Sequence, residues 1–178
     1  VFTFLIAKNL FSQCPNNNIP KIPTGYSINM GSNAIENIWS ISTIKSIDSI
    51  AINSAPTNSP GGRWRALYDA SYVYVLIEVN DAKTWSNTAD RWDGDGVEVY
   101  FKKSDGSAGQ WGFGYINNGT TGGAPGEYTQ TSGDGFMWNV ATTYSGFAGG
   151  YSVKVRIPIA DIAISGTSVA MEVAINQT

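Results

Sequence analysis

The clearest strand patterns of the chain lie in residues 71–103, SYVYVLIEVNDAKTWSNTADRWDGDGVEVYFKK. The first part, SYVYVLIEVND (71–81), alternates β-branched and aromatic residues with apolar partners, which predicts a strand buried on both faces at its start. After a polar loop, GVEVYFKK (96–103) predicts a second strand. Its apolar and polar residues alternate strictly, with Val97, Val99 and Phe101 against Glu98, Tyr100 and Lys102.

The rest of the chain repeats this pattern of short strands and turn-rich loops. Further strands are predicted over QWGFGYINN (110–118), FMWNVATTYS (136–145), GYSVKVRIPI (150–159) and SVAMEVAIN (168–176). Segments such as NNGTTGGAPG (117–126) separate them as turns. Only IADIAIS (159–165) is compatible with a short helical turn. The pattern predicts an all-β chain, an antiparallel β-sandwich of two sheets with jelly-roll or immunoglobulin-like architecture, in one domain.

Composition narrows the class of partner. Charged residues make up 14% of the 178 residues, against about 25% in an average protein. The net charge is −3, and there is no basic block, so nucleic acid is not an expected partner. A surface rich in Gly, Ser, Thr and Asn, with six tryptophans and nine tyrosines in the chain, suits neutral polar ligands.

Histidine is absent, and there is one cysteine, Cys14. The absence of histidine excludes Ser-His-Asp and Cys-His catalysis, most zinc sites and His-ligated haem. We therefore expect neither haem nor zinc. Cys14 has no second cysteine in the chain to form an internal disulfide with, so the core alone must hold the fold.

The N-terminal run VFTFLIAKNLFSQC is too short to span a membrane. We interpret residues 1–13 as the remnant of a secretory signal peptide, residues 14–25 as a linker and residues 26–178 as the folded domain. This predicts a secreted or cell-surface protein. A buried first strand is the alternative for the apolar run. Lipid attachment at Cys14 is a further alternative, which the preceding Phe11, Ser12 and Gln13 fit poorly.

Carboxylates cluster around the polar loop. A glycosidase would need two of them as a pair, but the sequence singles out no pair among Glu78, Asp81, Asp93, Asp95 and Glu98, so catalysis is not expected. The DGDG stretch resembles a calcium loop, yet Val97 stands where the EF-hand pattern requires an acid. A looser calcium site with Asp81 and Asp93 as ligands, and acids that only stabilise turns, both remain open.

Two tryptophans, Trp85 and Trp92, lie in this polar loop rather than in an apolar run. Sugars present C–H faces that stack on aromatic rings and hydroxyl groups that pair with carboxylates and amides. A sugar platform is therefore one reading of the loop, and a tryptophan that plugs the end of the sandwich is the other. Trp39, Trp64 and Trp138 are expected in the core, and Trp111 is ambiguous.

Taken in order, these motifs resemble the family 9 carbohydrate-binding modules. ALYDASYVYVLIEVND (66–81), a Trp-containing loop and RWDGDGVEVYF (91–101) are similar to the centre of the family pattern. GSNAIENIWS (31–40) is similar to its opening, with Glu36 and Trp39 at an acidic position and at the Trp. GQWGFGYINNGT (109–120), GYSVKVRIPIADI (150–162) and VAMEVAINQ (169–177) are similar to its later motifs.

The resemblance implies a non-catalytic β-sandwich that binds sugar, with structural calcium. It places Trp85 at a sugar-stacking position, with Trp92 as a second candidate. Hydrogen bonds to the sugar would come from Asp95, Glu98, Gln110 and Asn176. There are departures: Gly112 stands where an Arg is expected, Lys154 replaces a Glu, and Gln177 replaces an Asp. The family's second clamp tryptophan would follow beyond Thr178, which implies a module truncated at its C-terminus.

The resulting prediction is a sugar-binding module of a secreted, xylanase-like glycoside hydrolase. It would hold the enzyme, as a monomeric module of a multidomain protein, on xylan or on cellulose chain ends. The alternative is a structural or interaction sandwich of a surface protein without a sugar site. Burial of Trp85 and Trp92 would favour that alternative.

Overall fold

The computed structural model of the chain describes residues 18–32, 34–47, 61–80, 96–102, 108–116, 124–128, 141–147, 150–162 and 170–176. A 3-10 helix spans Asn37–Ile41 and a single helical turn, α1, spans Ile159–Ile162. The strands in these ranges are β1 (Lys45–Ile47), β2 (Gly62–Tyr68), β3 (Tyr72–Val79), β4 (Gly96–Lys102), β5 (Ala108–Ile116), β6 (Ala124–Tyr128), β7 (Ala141–Phe147), β8 (Gly150–Pro158) and β9 (Ala170–Asn176).

The strands form two sheets. The five-stranded sheet has the order β1-β2-β3-β8-β7, and the four-stranded sheet has the order β6-β5-β4-β9. Every pairing between these strands is antiparallel. The predicted two-sheet β-sandwich is therefore confirmed, and so are the predicted strands at β3, β4, β5, β8 and β9 and the short turn at α1.

The strand β6 corrects one prediction. Residues 124–126 belong to a segment assigned to a turn because of its glycines and proline, yet they pair with β5. β6 is an edge strand of its sheet. Edge strands tolerate proline, because one side of the strand has no ladder to maintain.

The main core lies between the two sheets. Alternate residues of each central strand point into it, as the period of two requires. Its members are Trp64, Ala66, Val73, Val75, Ile77, Val79, Val97, Val99, Phe101, Trp111, Phe113, Tyr151, Val153, Val155, Ile157, Ile162, Met171 and Val173. The ambiguous Trp111 is thereby placed in the core, where its ring meets Phe101 edge-on at 5.6 Å between centroids. Trp64 and Trp39 are buried as predicted, and Trp138 lies outside the described residues.

A short turn joins β2 to β3 and is held by one carboxylate. Asp69 accepts hydrogen bonds from the backbone N–H of Ser71 at 2.7 Å and of Tyr72 at 2.8 Å, as aspartate commonly does in turns. Its second oxygen accepts the hydroxyl of Tyr74 at 2.8 Å. Partial burial would raise the pKa of Asp69, but these hydrogen bonds outweigh it and lower the pKa. The central hairpin of the larger sheet is therefore closed by an ionised side chain.

Part of the outer face of the five-stranded sheet is covered by an N-terminal segment, residues 18–32 and 34–42, which we call the N-terminal cover. Part of it, residues 18–25, was assigned to a linker. It instead packs on the sandwich: Ile22 N–H donates to Tyr68 O at 2.7 Å, and Tyr68 N–H donates to Pro20 O at 3.1 Å. Ile22 is buried. Ile19 packs against the main core and Ile22 against the outer face of the sheet, so both apolar residues of this stretch are in contact with the sandwich.

Beneath the cover lies a second, smaller core. It joins residues of the cover to outward-facing residues of β2 and β3, namely Ile22, Ile28, Ile38 and Trp39 with Leu67, Tyr74 and Leu76. The burial of both faces of β3 follows from this arrangement, because one face packs on each core. The described part of the protein is thus three layers deep.

One ion pair anchors the cover. Lys154 on β8 is 2% exposed, and its Nζ lies 3.1 Å from Glu36 Oε1. Glu36 also accepts hydrogen bonds from Asn29 N–H at 2.9 Å and from the indole N–H of Trp39 at 3.0 Å. Partial burial would raise the pKa of Glu36, but hydrogen bonds from the backbone, Lys154 and Trp39 outweigh it and lower the pKa.

This lowered pKa predicts a loss of stability in acid. A carboxyl with a depressed pKa in the folded state contributes stability above its unfolded pKa, and that contribution disappears as the pH falls through the folded value. We expect the melting temperature to decline as the pH falls below the ordinary value of 4.5 for Glu36. Thermal unfolding across the acid range checks this. Glu36→Gln should be less stable at neutral pH and decline less steeply, and an unchanged slope would contradict the assignment.

Candidate functional site

The predicted site residue Glu98 lies on the outer face of the four-stranded sheet. It is in β4, between β5 and β9. Because Val97, Val99 and Phe101 point into the main core, Glu98 and Tyr100 point to the opposite face. Glu98 is only 5% exposed. A carboxylate so well shielded on an outer face is costly to desolvate unless hydrogen-bonded donors hold it.

Tyr100 supplies one such donor. Its hydroxyl donates a hydrogen bond to Glu98 Oε2, and it accepts one from the amide Nε2 of Gln110 at 3.2 Å. Gln110 stands directly opposite Tyr100 on β5, and Glu172 stands opposite it on β9. We call Glu98, Tyr100 and Gln110 the polar row. Two of its members were predicted from the sequence, and the row connects them through a third.

Sequence reasoning did not propose Tyr100 as a site residue. The signal was present, because Tyr100 lies two residues from Glu98 and therefore on the same face of the strand. What the sequence does not display is the register that brings Gln110 opposite Tyr100.

Glycines occupy several positions beside the polar row. Glu98 pairs with Gly112 on β5 and with Ala174 on β9. Gly96 pairs with Gly114 on one side and with Asn176 on the other. Positions without a Cβ let another group approach the backbone closely. At Gly112, where the expected family pattern has an Arg, the position on β5 that pairs with Glu98 carries no side chain.

Asn176 is placed by its backbone. It pairs with Gly96, the first residue of β4. Two predicted site residues, Glu98 on β4 and Asn176 on β9, therefore lie near the N-terminal end of β4. The other predicted residues, Trp85, Trp92, Asp81 and Asp93, lie with Asp95 outside the described residues.

The two strand glutamates considered for catalysis do not face each other. Glu78 lies on the outer face of the five-stranded sheet, on the opposite side of the sandwich from Glu98. Its carboxylate receives two hydrogen bonds from Arg63, at 2.8 and 2.9 Å, and one from Arg65 at 3.2 Å. The bond to Glu78 is the main reason that the pKa of Arg63 is raised. This fork-like pairing satisfies Glu78 as an ion pair.

Within the described ranges, no group of three or more His, Cys, Asp or Glu side chains is arranged to hold a metal ion. The calcium ligands predicted at Asp81 and Asp93 fall outside those ranges. In the same part of the chain, no helix has the length and apolar character needed to cross a membrane.

Comparison with known proteins agrees with this architecture. Residues 31–178 match the family described as carbohydrate family 9 binding domain-like. Among curated proteins, the exoglucanase XynX of Acetivibrio thermocellus is 26% identical over 152 residues, which cover 80% of this chain and 13% of XynX. The chain therefore spans about an eighth of that relative's length.

Solved structures give the same fold. A family 9 carbohydrate-binding module of Caldicellulosiruptor kristjanssonii in complex with glucose superposes with a TM-score of 0.59 at 16% identity, covering 90% of this chain and 78% of that one. Its complex with cellotriose gives a TM-score of 0.60 at 17% identity, with 90% and 77% covered. The match to the family extends over more than four-fifths of the chain, including the polar row and the N-terminal cover from residue 31. This chain therefore belongs to the carbohydrate family 9 binding domain-like family.

Proposed function

We propose that this domain binds oligosaccharide or polysaccharide at the end of the four-stranded sheet where residues 81–95 enter β4. It would hold a secreted glycoside hydrolase on cellulose chain ends or xylan of the plant cell wall. Family membership supports the ligand class. The complexes of the Caldicellulosiruptor modules with glucose and cellotriose favour a glucan. The similarity to the exoglucanase XynX supports the link to a hydrolase.

The observation that carries the proposal is the polar row. Glu98 offers carboxylate oxygens, Tyr100 a hydroxyl and Gln110 an amide, joined by hydrogen bonds on one outer face. Sugar hydroxyls are both donors and acceptors, so such a mixed set can satisfy them without a net charge on the ligand. Tyr100 and Gln110 are half-buried, which leaves part of the row accessible, whereas Glu98 is nearly covered.

In this proposal the loop completes the site. Trp85 stacks on the sugar ring, with Trp92 beside it, and Asp95 and Asn176 hydrogen-bond to hydroxyl groups next to Glu98. Gln110 orients Tyr100, which in turn orients the Glu98 carboxylate. Individual stacking contacts contribute modestly to affinity, so we expect a micromolar dissociation constant, which corresponds to a binding free energy of roughly −8 kcal/mol.

We also propose that calcium supports the loop, with Asp81 and Asp93 among its ligands. Carboxylates and backbone carbonyls of a loop are oxygen ligands that suit Ca²⁺. The ion would order the loop and would not contact the sugar, so EDTA should weaken binding and lower the melting temperature together.

Isothermal titration calorimetry tests the proposal. Cellobiose, cellotriose, xylobiose and soluble xylan are titrated into the wild type and Glu98→Gln, with and without EDTA. A hydrogen bond to a charged group contributes about 1.5–3 kcal/mol, so we expect Glu98→Gln to weaken binding roughly 10- to 100-fold.

Glu78→Gln is the matched control. Glu78 is 6% exposed, almost as well buried as Glu98, but it lies on the other sheet and pairs with Arg63. Its replacement should lower stability and leave sugar affinity unchanged. If both variants lost affinity in proportion to their loss of stability, Glu98 would have no specific role. If the folded wild type released no heat with any of the glycans, the structural or interaction domain would replace the sugar-binding module.

A further inference from the structure

The buried ammonium group of Lys154 has an unusual environment. Lysine is rarely fully buried without a partner. Lys154 Nζ donates to three oxygens: Asn29 O at 2.8 Å, Ala34 O at 2.9 Å and Glu36 Oε1 at 3.1 Å. These three oxygens, which we call the oxygen cage, all come from the N-terminal cover. The three donors of an ammonium group match these three acceptors. One side chain from β8 therefore fastens the N-terminal cover to the sheet.

The oxygen cage is held in shape by contacts that do not involve Lys154. Asn29 N–H donates to Glu36 Oε1 at 2.9 Å, and the indole N–H of Trp39 donates to Glu36 Oε2 at 3.0 Å. Both carboxylate oxygens are therefore oriented from within the cover. Outer contacts of this kind are what fix ligands around a bound metal ion.

The chemistry of the cage is that of a hard-cation site. Backbone carbonyls together with a carboxylate are ligands that Ca²⁺ accepts, at about 2.3–2.6 Å. The ammonium contacts are 2.8–3.1 Å, so a calcium ion would need the cage to contract by about 0.5 Å. Lys154 occupies the position at which a fourth ligand would enter from β8.

We propose that the oxygen cage is a cation site whose resident cation is the Lys154 ammonium, and that a carboxylate at position 154 converts it into a divalent-cation site. In the natural chain, closure of the N-terminal cover over the sheet then needs no metal at this position. The site is separate from the proposed sugar site, because β8 belongs to the five-stranded sheet and the polar row to the four-stranded sheet.

Melting temperatures of Lys154→Glu in EDTA and in calcium test this. In EDTA the variant should melt well below the wild type, because Glu36 then faces a second carboxylate. Calcium at a hundredfold excess over its dissociation constant should raise the variant's melting temperature by about 5–10 °C more than it raises that of the wild type. Using the difference removes any calcium response of the loop at residues 81–95, which the two proteins share.

Two further variants make the test specific. Lys21→Glu, at an exposed position of the N-terminal cover, has the same change of charge and should respond to calcium as the wild type does. The double variant Lys154→Glu/Glu36→Gln should lose most of the extra response. Terbium alone, excited by energy transfer from tryptophan, should luminesce more strongly with Lys154→Glu than with the wild type. The indole of Trp39 is hydrogen-bonded to Glu36 and would therefore lie close to the bound ion.

A calcium response of Lys154→Glu no larger than that of Lys21→Glu would overturn the proposal. If Lys154→Glu folded only with calcium, the proposal would be supported. If it failed to fold in either condition, the neutral variant Lys154→Gln decides the matter. A calcium-dependent rise of its melting temperature beyond that of Lys21→Gln supports the cation site, and its absence overturns it.

Discussion

Trp85→Ala is expected to remove measurable binding of oligosaccharides while the domain stays folded. Truncation of a dominant aromatic contact costs about 2–4 kcal/mol. From a micromolar starting point, this weakens binding by roughly 30- to 1,000-fold and takes it to the limit of calorimetry. Trp85 lies in a run of Asp, Lys, Thr, Ser and Asn, outside the described residues, and the prediction therefore rests on its sequence context and on family membership.

The measurement is titration of cellotriose and soluble xylan into the wild type and Trp85→Ala, with melting temperatures recorded on the same samples. Trp92→Ala serves as a companion, since the two tryptophans frame the same loop. A large loss of stability in Trp85→Ala would show that Trp85 belongs to the core and would count against the sugar platform. Unchanged affinity in a folded variant would move the stacking role to Trp92 or to another aromatic residue.

The sandwich was predictable because the residue patterns of its central strands, β3 and β4, are typical of strands. In β4 apolar and polar residues alternate, and only a strand places Val97, Val99 and Phe101 on one side. In β3 the apolar residues fall on both faces, as expected of a buried strand. β6 was missed because Pro125 and Gly126 are typical of turns, and only the pairing with β5 shows that they belong to a strand. Residues 18–25 of the N-terminal cover were missed for a related reason. The prolines and asparagines of this segment are typical of a linker. Its few apolar residues pack against the sheet, which the sequence alone does not show.

The candidate site was predictable only in part. Glu98 and Gln110 follow from motif positions, and the structure brings them together through Tyr100. From the sequence, a tyrosine in a strand is most simply interpreted as a packing residue. The role of Tyr100 in connecting Glu98 to Gln110 depends on strand register, which a single sequence does not reveal. Lys154 shows the same limit. In the sequence it is a departure from a family motif, and its meaning appears only beside Glu36, more than a hundred residues away.

Trp39→Ala is expected to cause the largest loss of stability. Trp39 is 1% exposed and packs with Leu67, Tyr74 and Leu76 between the N-terminal cover and the five-stranded sheet. Truncation of a buried tryptophan costs about 3–5 kcal/mol through lost burial and the cavity it leaves. In a domain of this size that lowers the melting temperature by roughly 10 °C.

The variant also removes the indole N–H that donates to Glu36 Oε2. Trp39→Phe separates these two effects, because it removes the donor and keeps most of the apolar volume, and it should cost less than half as much. Ile41→Ala is the control within the same 3-10 helix, since Ile41 is 43% exposed, and a surface change of this kind alters stability by about 0.5 kcal/mol or less.

Thermal and urea unfolding of the three variants measure the differences. If Trp39→Ala were no worse than Ile41→Ala, the cover would not be an integral layer of the fold. The expected order, with Trp39→Ala far below Trp39→Phe, would instead make the cover a third layer, held by the packing of Trp39 and fastened by the Glu36–Lys154 pair.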